Sequence, residues 1–173
     1  MHNPFELFGL PVQFQLDQAL LSERYLNLQK ELHPDNFANH SAAEQRLAIE
    51  KSADVNQALQ ILKDPILRAE EIIKIHTGKE KNLEEKSMKD IDFLMQQMEW
   101  HEKLEAIEHQ QDEEALFSFL KFIQTEQKHV LQQLENALEK SEWVIANALT
   151  DKLRYFKKLI FQIEKVEEKL FEA

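Results

Sequence analysis

Glycine and proline are scarce in this sequence, and cysteine is absent. The 173 residues include two glycines, Gly9 and Gly78, and four prolines, of which Pro65 is the last. Average usage of about 7% would supply roughly twelve glycines. Because β-hairpin turns and phosphate-binding loops both need glycine, the shortage argues against most sheet architectures and excludes the Gly-rich nucleotide-binding fingerprints. The long proline-free remainder favours helices.

Other features that the sequence lacks bear on the cellular compartment of the protein and on the chemistry it can perform. Without cysteine the protein has no disulfide, no thiolate metal site and no cysteine nucleophile. No apolar run approaches the roughly 20 residues of a membrane span, and the N-terminus lacks the basic and apolar regions of a signal peptide. The formal net charge is −11, with acidic excess on both sides of Gly78, which disfavours nucleic acid and anionic membranes as partners. We therefore expect a soluble, cytoplasmic protein.

The first helical pattern ends in a polar loop. Asp17 is a good N-cap for a helix from Gln18 to Leu32, in which apolar residues recur at spacings of three and four. That helix must end near His33, because the residue before a proline is pushed out of the α region. Residues 33–40 are predicted to form the loop.

Two more helices follow within the first part of the sequence. Ser41, with Glu44 after it, is a capping-box signature for a second helix. Asp64 and Pro65 are typical of an N-cap and first helical residue, and Gly78 is typical of a C-terminal stop. The apolar positions of the second helix are Leu47, Ala48, Val55, Leu59 and Leu62.

The second half of the sequence predicts three longer helices. Residues 79–87 are mostly charged, and we take them as a linker between residues 1–78 and residues 88–173. The helices are expected at about Met88–His109, Asp112–Lys140 and Glu142–Phe171, with Ser141 as N-cap of the last. Together they predict a three-helix antiparallel bundle, and the whole protein is expected to be all-α.

The tripeptide His33-Pro34-Asp35 lies in the loop between the first two amphipathic helices. The fixed φ of proline holds the imidazole and the carboxylate at a set separation, and such a turn can present an acceptor to an arginine of a partner. Two plainer interpretations stay open. In one, the tripeptide ends a helix and does nothing more. In the other, His33, Asp35 and His40 bind a metal, although their spacing is not that of recurrent metal sites.

This arrangement resembles a J domain, the module by which co-chaperones stimulate the ATPase of seventy-kilodalton heat-shock chaperones. More narrowly, the sequence resembles the HscB family, and the likeness extends over essentially its whole length. The segments that carry it are Phe5-Glu-Leu-Phe-Gly-Leu-Pro11, Leu16-Asp17, Leu32-His-Pro-Asp35, Phe37-Ala38, Ser52-Ala-Asp-Val-Asn-Gln-Ala58, Asp64-Pro65, Arg68-Ala-Glu70, Phe93-Leu-Met95 and Val166-Glu-Glu-Lys-Leu170.

The resemblance implies a bacterial co-chaperone of iron–sulfur cluster biogenesis that works with an HscA-type (DnaK-like) ATPase and an IscU-type scaffold protein. It implies that residues 1–78 form the J domain. His33, Pro34 and Asp35 are then expected to contact the ATPase, with Arg24 and Lys30 as basic contacts on the preceding helix. Such a protein is no enzyme, needs no cofactor or metal of its own, and is expected to be a monomer. One departure is Asn36, where J domains often have lysine.

The helix from Met88 to His109 has two apolar faces. At 100° per residue Phe93, Trp100, Leu104 and Ile107 form a stripe that can pack in a bundle, whereas Ile91, Leu94, Met95 and Met98 lie on the other side. The resemblance implies that this second side binds the scaffold. The alternative is that it packs against the J domain or a neighbouring helix. The residues implied in scaffold binding are Leu94, Met95, Met98, Glu99, Glu102 and Tyr155, of which Tyr155 is expected to face outward from the last helix.

Other functions fit parts of the same sequence. A J-domain adaptor for a different client of a DnaK-like chaperone fits the same loop. A purely structural coiled-coil protein would explain the charged second half but not the turn at Pro34 and Asp35. A hydrolase using His33 and Asp35 would need a pocket and a third positioned group.

Overall fold

The computed structural model describes residues 3–79 and 90–172, and every regular element in these two ranges is helical. The all-α class expected from the sequence is confirmed. The protein forms two compact units, Met1–Lys79 and Glu80–Ala173. Of the predicted linker, residues 79–87, only Lys79 lies within the described residues. Met88, the expected start of the next helix, also lies outside them.

The first unit contains four α-helices and a short 3-10 helix. They are α1 (Pro4–Leu7), α2 (Gln18–Glu31), the 3-10 helix (Pro34–Phe37), α3 (Ala42–Lys63) and α4 (Pro65–Thr77). Helix α3 is central, since α1, α2, the 3-10 helix and α4 all pack against it. The buried apolar side chains of this unit are Phe5, Phe8, Leu10, Leu21, Ala48, Val55, Ala58, Leu59, Leu62, Ile66, Ala69, Ile72 and Ile73.

Local capping chemistry sets most of these helix ends. The side chain of Asp17 accepts a hydrogen bond from the Leu20 amide at 3.1 Å, and Ser41 Oγ accepts one from the Glu44 amide at 3.2 Å. Asp64 caps α4 in the same way, and Gly78 ends it in the left-handed conformation with φ 71°. These four predicted caps are confirmed.

Three details of the first unit differ from the sequence expectation. Helix α1 is not among the predicted helices, and residues 34–37 of the predicted loop form a 3-10 helix. Leu47, expected among the apolar positions of α3, is exposed, whereas its neighbour Ala48 is buried. The core face of α3 therefore begins at Ala48.

The second unit is a bundle of three long helices. They are α5 (Ile91–Gln110), α6 (Glu113–Glu139) and α7 (Trp143–Glu172). Lys152 Nζ lies 3.7 Å from Asp90 Oδ2 near the start of α5, and Lys169 Nζ lies 3.3 Å from Glu108 Oε1 near its end. Helices α5 and α7 therefore run in the same direction, and α6, joined to each by a short turn, runs antiparallel to both. The structure thus has the expected three-helix antiparallel bundle.

Both turns of the bundle place a non-glycine residue in the left-handed conformation. Gln111 has φ 53° and Ser141 has φ 57°. After Ser141 the amide of Glu142 donates to the carbonyl of Ala137 at 2.9 Å, which closes the C-terminus of α6. The prediction that Ser141 is the N-cap of α7 is therefore wrong, because an N-cap needs an extended backbone and Ser141 belongs to the end of α6 instead.

Candidate functional site

The His-Pro-Asp turn, His33 to Asp35, lies at the tip of the α2–α3 hairpin. His33 has the extended backbone that a following proline requires, with ψ 136°, and Pro34 begins the 3-10 helix. The Asp35 amide donates to His33 Nδ1 at 3.2 Å. The side chains of His33 and Asp35 are 60% and 92% exposed, with His33 Nδ1 3.6 Å from Asp35 Oδ2. The turn thus offers an imidazole and a carboxylate to solvent in a fixed arrangement.

The hydrogen bond within the turn selects one form of the imidazole. Because His33 Nδ1 accepts from the Asp35 amide, the neutral ring carries its proton on Nε2. The Asp35 carboxylate is left free to accept from an arginine, which binds carboxylates through two parallel hydrogen bonds. The turn therefore has one donor and one strong acceptor for a partner.

A polar network joins α2 to α3 below the turn. Asn56 Oδ1 accepts from Tyr25 Oη at 2.8 Å and from Gln29 Nε2 at 2.9 Å. Ser52 Oγ donates to Gln29 Oε1 at 2.9 Å. Ser52 and Asn56 lie in a segment that carries the family resemblance, but the sequence alone assigns them no role. This network braces the hairpin, and it could have been predicted from the polar residues that face each other on the two adjacent amphipathic helices.

Arg24 and Lys30, the two cations expected to meet the ATPase, differ in their surroundings. Arg24 Nη1 donates to the carbonyls of Phe8 and Gly9 at 2.7 and 2.6 Å, so its guanidinium holds the turn that follows α1. Lys30 is exposed in the last turn of α2. Of the two, Lys30 therefore has the charge that is better placed to meet a partner.

The α5 surface, consisting of Leu94, Met95, Met98, Glu99 and Glu102, is exposed. Met95 and Met98 are 58% and 65% exposed, and Leu94 is 37% exposed. Ile91, one turn earlier, extends the apolar part and is also exposed. Glu99 and Glu102 lie along the same side. Large flexible apolar side chains beside carboxylates are typical of a surface that adapts to a partner.

An aromatic cluster lies beneath the α5 surface. Trp100, Leu104 and Ile107 are buried as the periodicity predicts, and Phe93 is half-buried. The ring of Tyr155 on α7 makes an edge contact with Phe93 at 5.4 Å between centroids. The outward orientation expected for Tyr155 is only half right, because α5 covers one flank of the ring. Burial raises the pKa of Tyr155 to about 12.

A cleft opens beside the first turns of α5. It has a volume of about 540 Å³ and includes Phe93 in its lining. Lys152 reaches over that ring, with Nζ 5.3 Å from its centroid. Carboxylates dominate the rest of the lining, so the cleft continues the acidic border of the α5 surface. The lining residues are Asp90, Asp92, Phe93, Met95, Gln96, Glu99 and Lys152.

The described residues offer neither a metal cluster nor a membrane span. Within 3–79 and 90–172, no three or more histidine, aspartate or glutamate side chains are grouped so that they could hold a metal ion. No helix in the same ranges is both long enough and apolar enough to cross a membrane.

Comparison with known proteins gives a consistent result. Residues 89–164 match the family model described as the HSCB C-terminal oligomerisation domain. The protein is 65% identical to the co-chaperone protein HscB homolog of Haemophilus ducreyi, over 99% of each chain. Its fold resembles chaperone HscB from Vibrio cholerae, with a TM-score of 0.87, 43% identity, and coverage of 98% of this chain and 99% of the other.

A more distant relative has the same fold. The crystal structure of human co-chaperone protein HscB matches with a TM-score of 0.88 and 29% identity, over 96% of this chain and 83% of the human one. Since the bacterial likeness extends over nearly the full length at high identity, the chain belongs to the HscB family of co-chaperones, in which a J domain is followed by a C-terminal helical domain.

Proposed function

We propose that this protein binds an IscU-type iron–sulfur scaffold protein through its second unit and presents it to an HscA-type, DnaK-like chaperone, whose ATPase it stimulates through the first unit. Membership of the HscB co-chaperone family supports this function. The observation that carries the proposal is the exposed His33 and Asp35 pair at the tip of a braced helical hairpin. ATP hydrolysis takes place on the partner, and this protein is a co-chaperone rather than an enzyme.

The ATPase end consists of His33, Pro34 and Asp35, with Lys30 on the adjacent turn of α2. The Asp35 carboxylate is 92% exposed, so in the free protein it is hydrated and unstrained by burial. It is desolvated only when a partner cation covers it, and an Asp–Arg contact formed there is strong. Arg24 contributes in a second way, since its guanidinium is bound to the α1 turn. We therefore assign it to the ATPase contact through the position of α2 as well as through charge.

The scaffold end consists of the α5 surface together with Tyr155. Leu94, Met95 and Met98 supply apolar area, while Glu99 and Glu102 provide charges that select a partner with basic groups around its own apolar patch. Tyr155 supports this surface from behind through its ring contacts with α5. The protein has no cysteine, so thiolate ligands of an iron–sulfur cluster come from the scaffold, and the cluster is cargo.

Binding of both partners by one molecule raises the effective concentration of the scaffold at the chaperone, an avidity effect that needs no new chemistry. We further propose that the protein acts as a monomer in the cytoplasm. Sedimentation velocity over a range of concentrations tests whether the protein is a monomer. The measurement is needed because the matching family model is described as an oligomerisation domain.

A single-turnover ATPase assay with an HscA-type chaperone tests the function. The protein alone should accelerate hydrolysis, and adding an IscU-type scaffold should increase the acceleration further. Asp35→Ala should abolish the stimulation while calorimetry gives unchanged scaffold affinity. Full stimulation by this variant would refute the role of the turn. Stimulation without any scaffold effect or scaffold binding would favour the alternative function, a J-domain adaptor for another client.

A further inference from the structure

The His-Pro-Asp turn is held from both sides by carboxamide side chains. On the α2 side, Asn36 Nδ2 donates to the carbonyls of Lys30 and Glu31 at 2.6 and 3.3 Å. These are among the last carbonyls of α2, which have no partner within the helix. The carboxamide of Asn36 thus caps the C-terminus of α2, and it also fixes the residue that directly follows Asp35.

On the α3 side, the carboxamide of Gln45 holds the other end of the segment. Its Nε2 donates to the carbonyls of Phe37 and His40 at 3.0 and 3.3 Å. Phe37 is the last residue of the 3-10 helix, and its ring centroid lies 5.1 Å from that of His40. Gln45 therefore fastens the end of the 3-10 helix to the first turns of α3.

Packing against α3 and a few hydrogen bonds within the turn also hold this segment. No side chain of the 3-10 helix is fully buried, and its apolar packing is limited to Phe37, which is half-buried. Backbone hydrogen bonds within it are few, the clearest being from the Asn36 amide to the His33 carbonyl at 3.0 Å. A short 3-10 helix whose side chains are mostly exposed is by itself only marginally stable. The bonds of the Asn36 side chain to α2 and of the Gln45 side chain to the Phe37 carbonyl therefore add substantially to what selects one conformation.

We propose that Asn36 and Gln45 are positioning residues that keep the His-Pro-Asp turn in its binding conformation before the ATPase partner arrives. This inference rests on the proposed function, because it assumes that His33 and Asp35 meet the ATPase. Neither carboxamide needs to touch the partner. Their effect is to raise the fraction of molecules whose turn is ready to bind the ATPase, and the apparent affinity for the ATPase scales with that fraction.

The test compares Asn36→Ala, Asn36→Asp and Gln45→Ala in the ATPase assay over a range of co-chaperone concentrations. Each variant should raise the concentration for half-maximal stimulation about 3- to 10-fold and leave the maximal stimulated rate unchanged, since the competent conformation is made rarer but not altered. Asn36→Asp is nearly isosteric but cannot donate, and its charge faces helix carbonyls. It should be at least as defective as Asn36→Ala.

Matched controls are Asn39→Ala and Gln60→Ala, which remove exposed carboxamides that make none of these hydrogen bonds. Both should behave like the natural protein. Thermal unfolding of the first unit reports whether a variant has lost its fold rather than its turn, and scaffold affinity, which depends on the second unit, should be unchanged in every variant. Exchange of the Asp35 amide hydrogen should become faster in Asn36→Ala, because the turn opens more often.

Two outcomes would overturn the inference. One is a half-maximal concentration unchanged in both Asn36→Ala and Gln45→Ala, whether or not amide exchange becomes faster. The other is natural behaviour of Asn36→Asp. Asp35→Ala separates the inference from the proposed function, because a loss of stimulation in Asp35→Ala with no effect of the carboxamide variants removes only the inference. Full stimulation by Asp35→Ala removes the proposed function itself.

Discussion

The ring of Tyr155 stacks on the ring of Trp100, with centroids 6.1 Å apart and 16° between the planes. Trp100 is buried in the bundle and Tyr155 is half-buried, so the pair joins α7 to α5 directly beneath the α5 surface. The Tyr155 hydroxyl also lies 3.5 Å from the Gln97 carbonyl oxygen, a long hydrogen bond. Tyr155 is therefore a support of the candidate scaffold-binding surface as well as a member of it.

The first prediction concerns pH. Burial raises the pKa of Tyr155 from 10.0 to about 12, so the folded protein favours the protonated phenol more than the unfolded protein does. The resulting stability is fully present below pH 10 and is lost as pH rises towards 12. Urea unfolding of the natural protein and of Tyr155→Phe over this range measures it. The natural protein should lose stability relative to Tyr155→Phe as pH rises from 10 to 12, because only the natural protein has a phenol to ionise, and a difference independent of pH would contradict the prediction.

The second prediction concerns the stacked pair. Tyr155→Ala removes the ring contacts with Trp100 and Phe93 and should lower the unfolding free energy of the second unit by about 2–3 kcal/mol. Tyr155→Phe retains the rings and should cost less than about 1 kcal/mol at neutral pH. Circular dichroism during urea unfolding checks both. Equal losses in the two variants would show that the hydroxyl, not the stacking, holds α7 to α5.

The third prediction concerns the α5 surface. Replacing Leu94, Met95 and Met98 together by alanine should weaken scaffold binding at least about tenfold, because a few anchors carry most of the energy of an interface and a total loss of about 1.4 kcal/mol is a factor of ten. The melting temperature should hardly change, since these side chains are exposed. Val144→Ala, which truncates an exposed apolar residue elsewhere in the bundle, is the control. Unchanged calorimetric affinity of a folded triple variant would exclude this surface as the scaffold site.

The fourth prediction separates two cations on α2. Arg24→Ala breaks the hydrogen bonds to Phe8 and Gly9 and should lower the unfolding free energy of the first unit by about 1–2 kcal/mol. Lys30→Ala should leave stability within about 0.5 kcal/mol. It should raise the concentration for half-maximal ATPase stimulation, more at low salt than at high salt. Loss of stability in Lys30→Ala, or none in Arg24→Ala, would reverse these assignments.

Local chemistry explains which features the sequence predicts well. Asp17, Ser41 and Asp64 cap helices through contacts with residues close in sequence, and such contacts can be read from the residue types alone. Periodicity likewise identifies Trp100, Leu104 and Ile107 as core residues, although the neighbouring Phe93 is only half-buried. These features depend on spacing within one helix.

Contacts between distant segments explain what the sequence does not predict. The bonds of Arg24 to the α1 turn and of Asn56 to α2 join residues far apart in sequence, which no local pattern specifies. The angular position of Tyr155 on α7 predicts an outward ring, but α5 covers that flank. Ser141 is a residue type that favours an N-cap, but it lies in the turn that ends α6 and does not cap α7. The roles of His33 and Asp35 as ATPase contacts stay a prediction.

The two left-handed residues in the bundle turns leave room to make this protein more robust. Gln111 and Ser141 adopt positive φ without being glycine, a conformation that costs a residue with a Cβ roughly 1 kcal/mol. A protein engineer could therefore exchange both for glycine and gain thermal tolerance without changing any residue of the α5 surface or of the His-Pro-Asp turn. The shortage of glycine thus also means that stabilising substitutions remain available in this protein, as they commonly do in natural proteins.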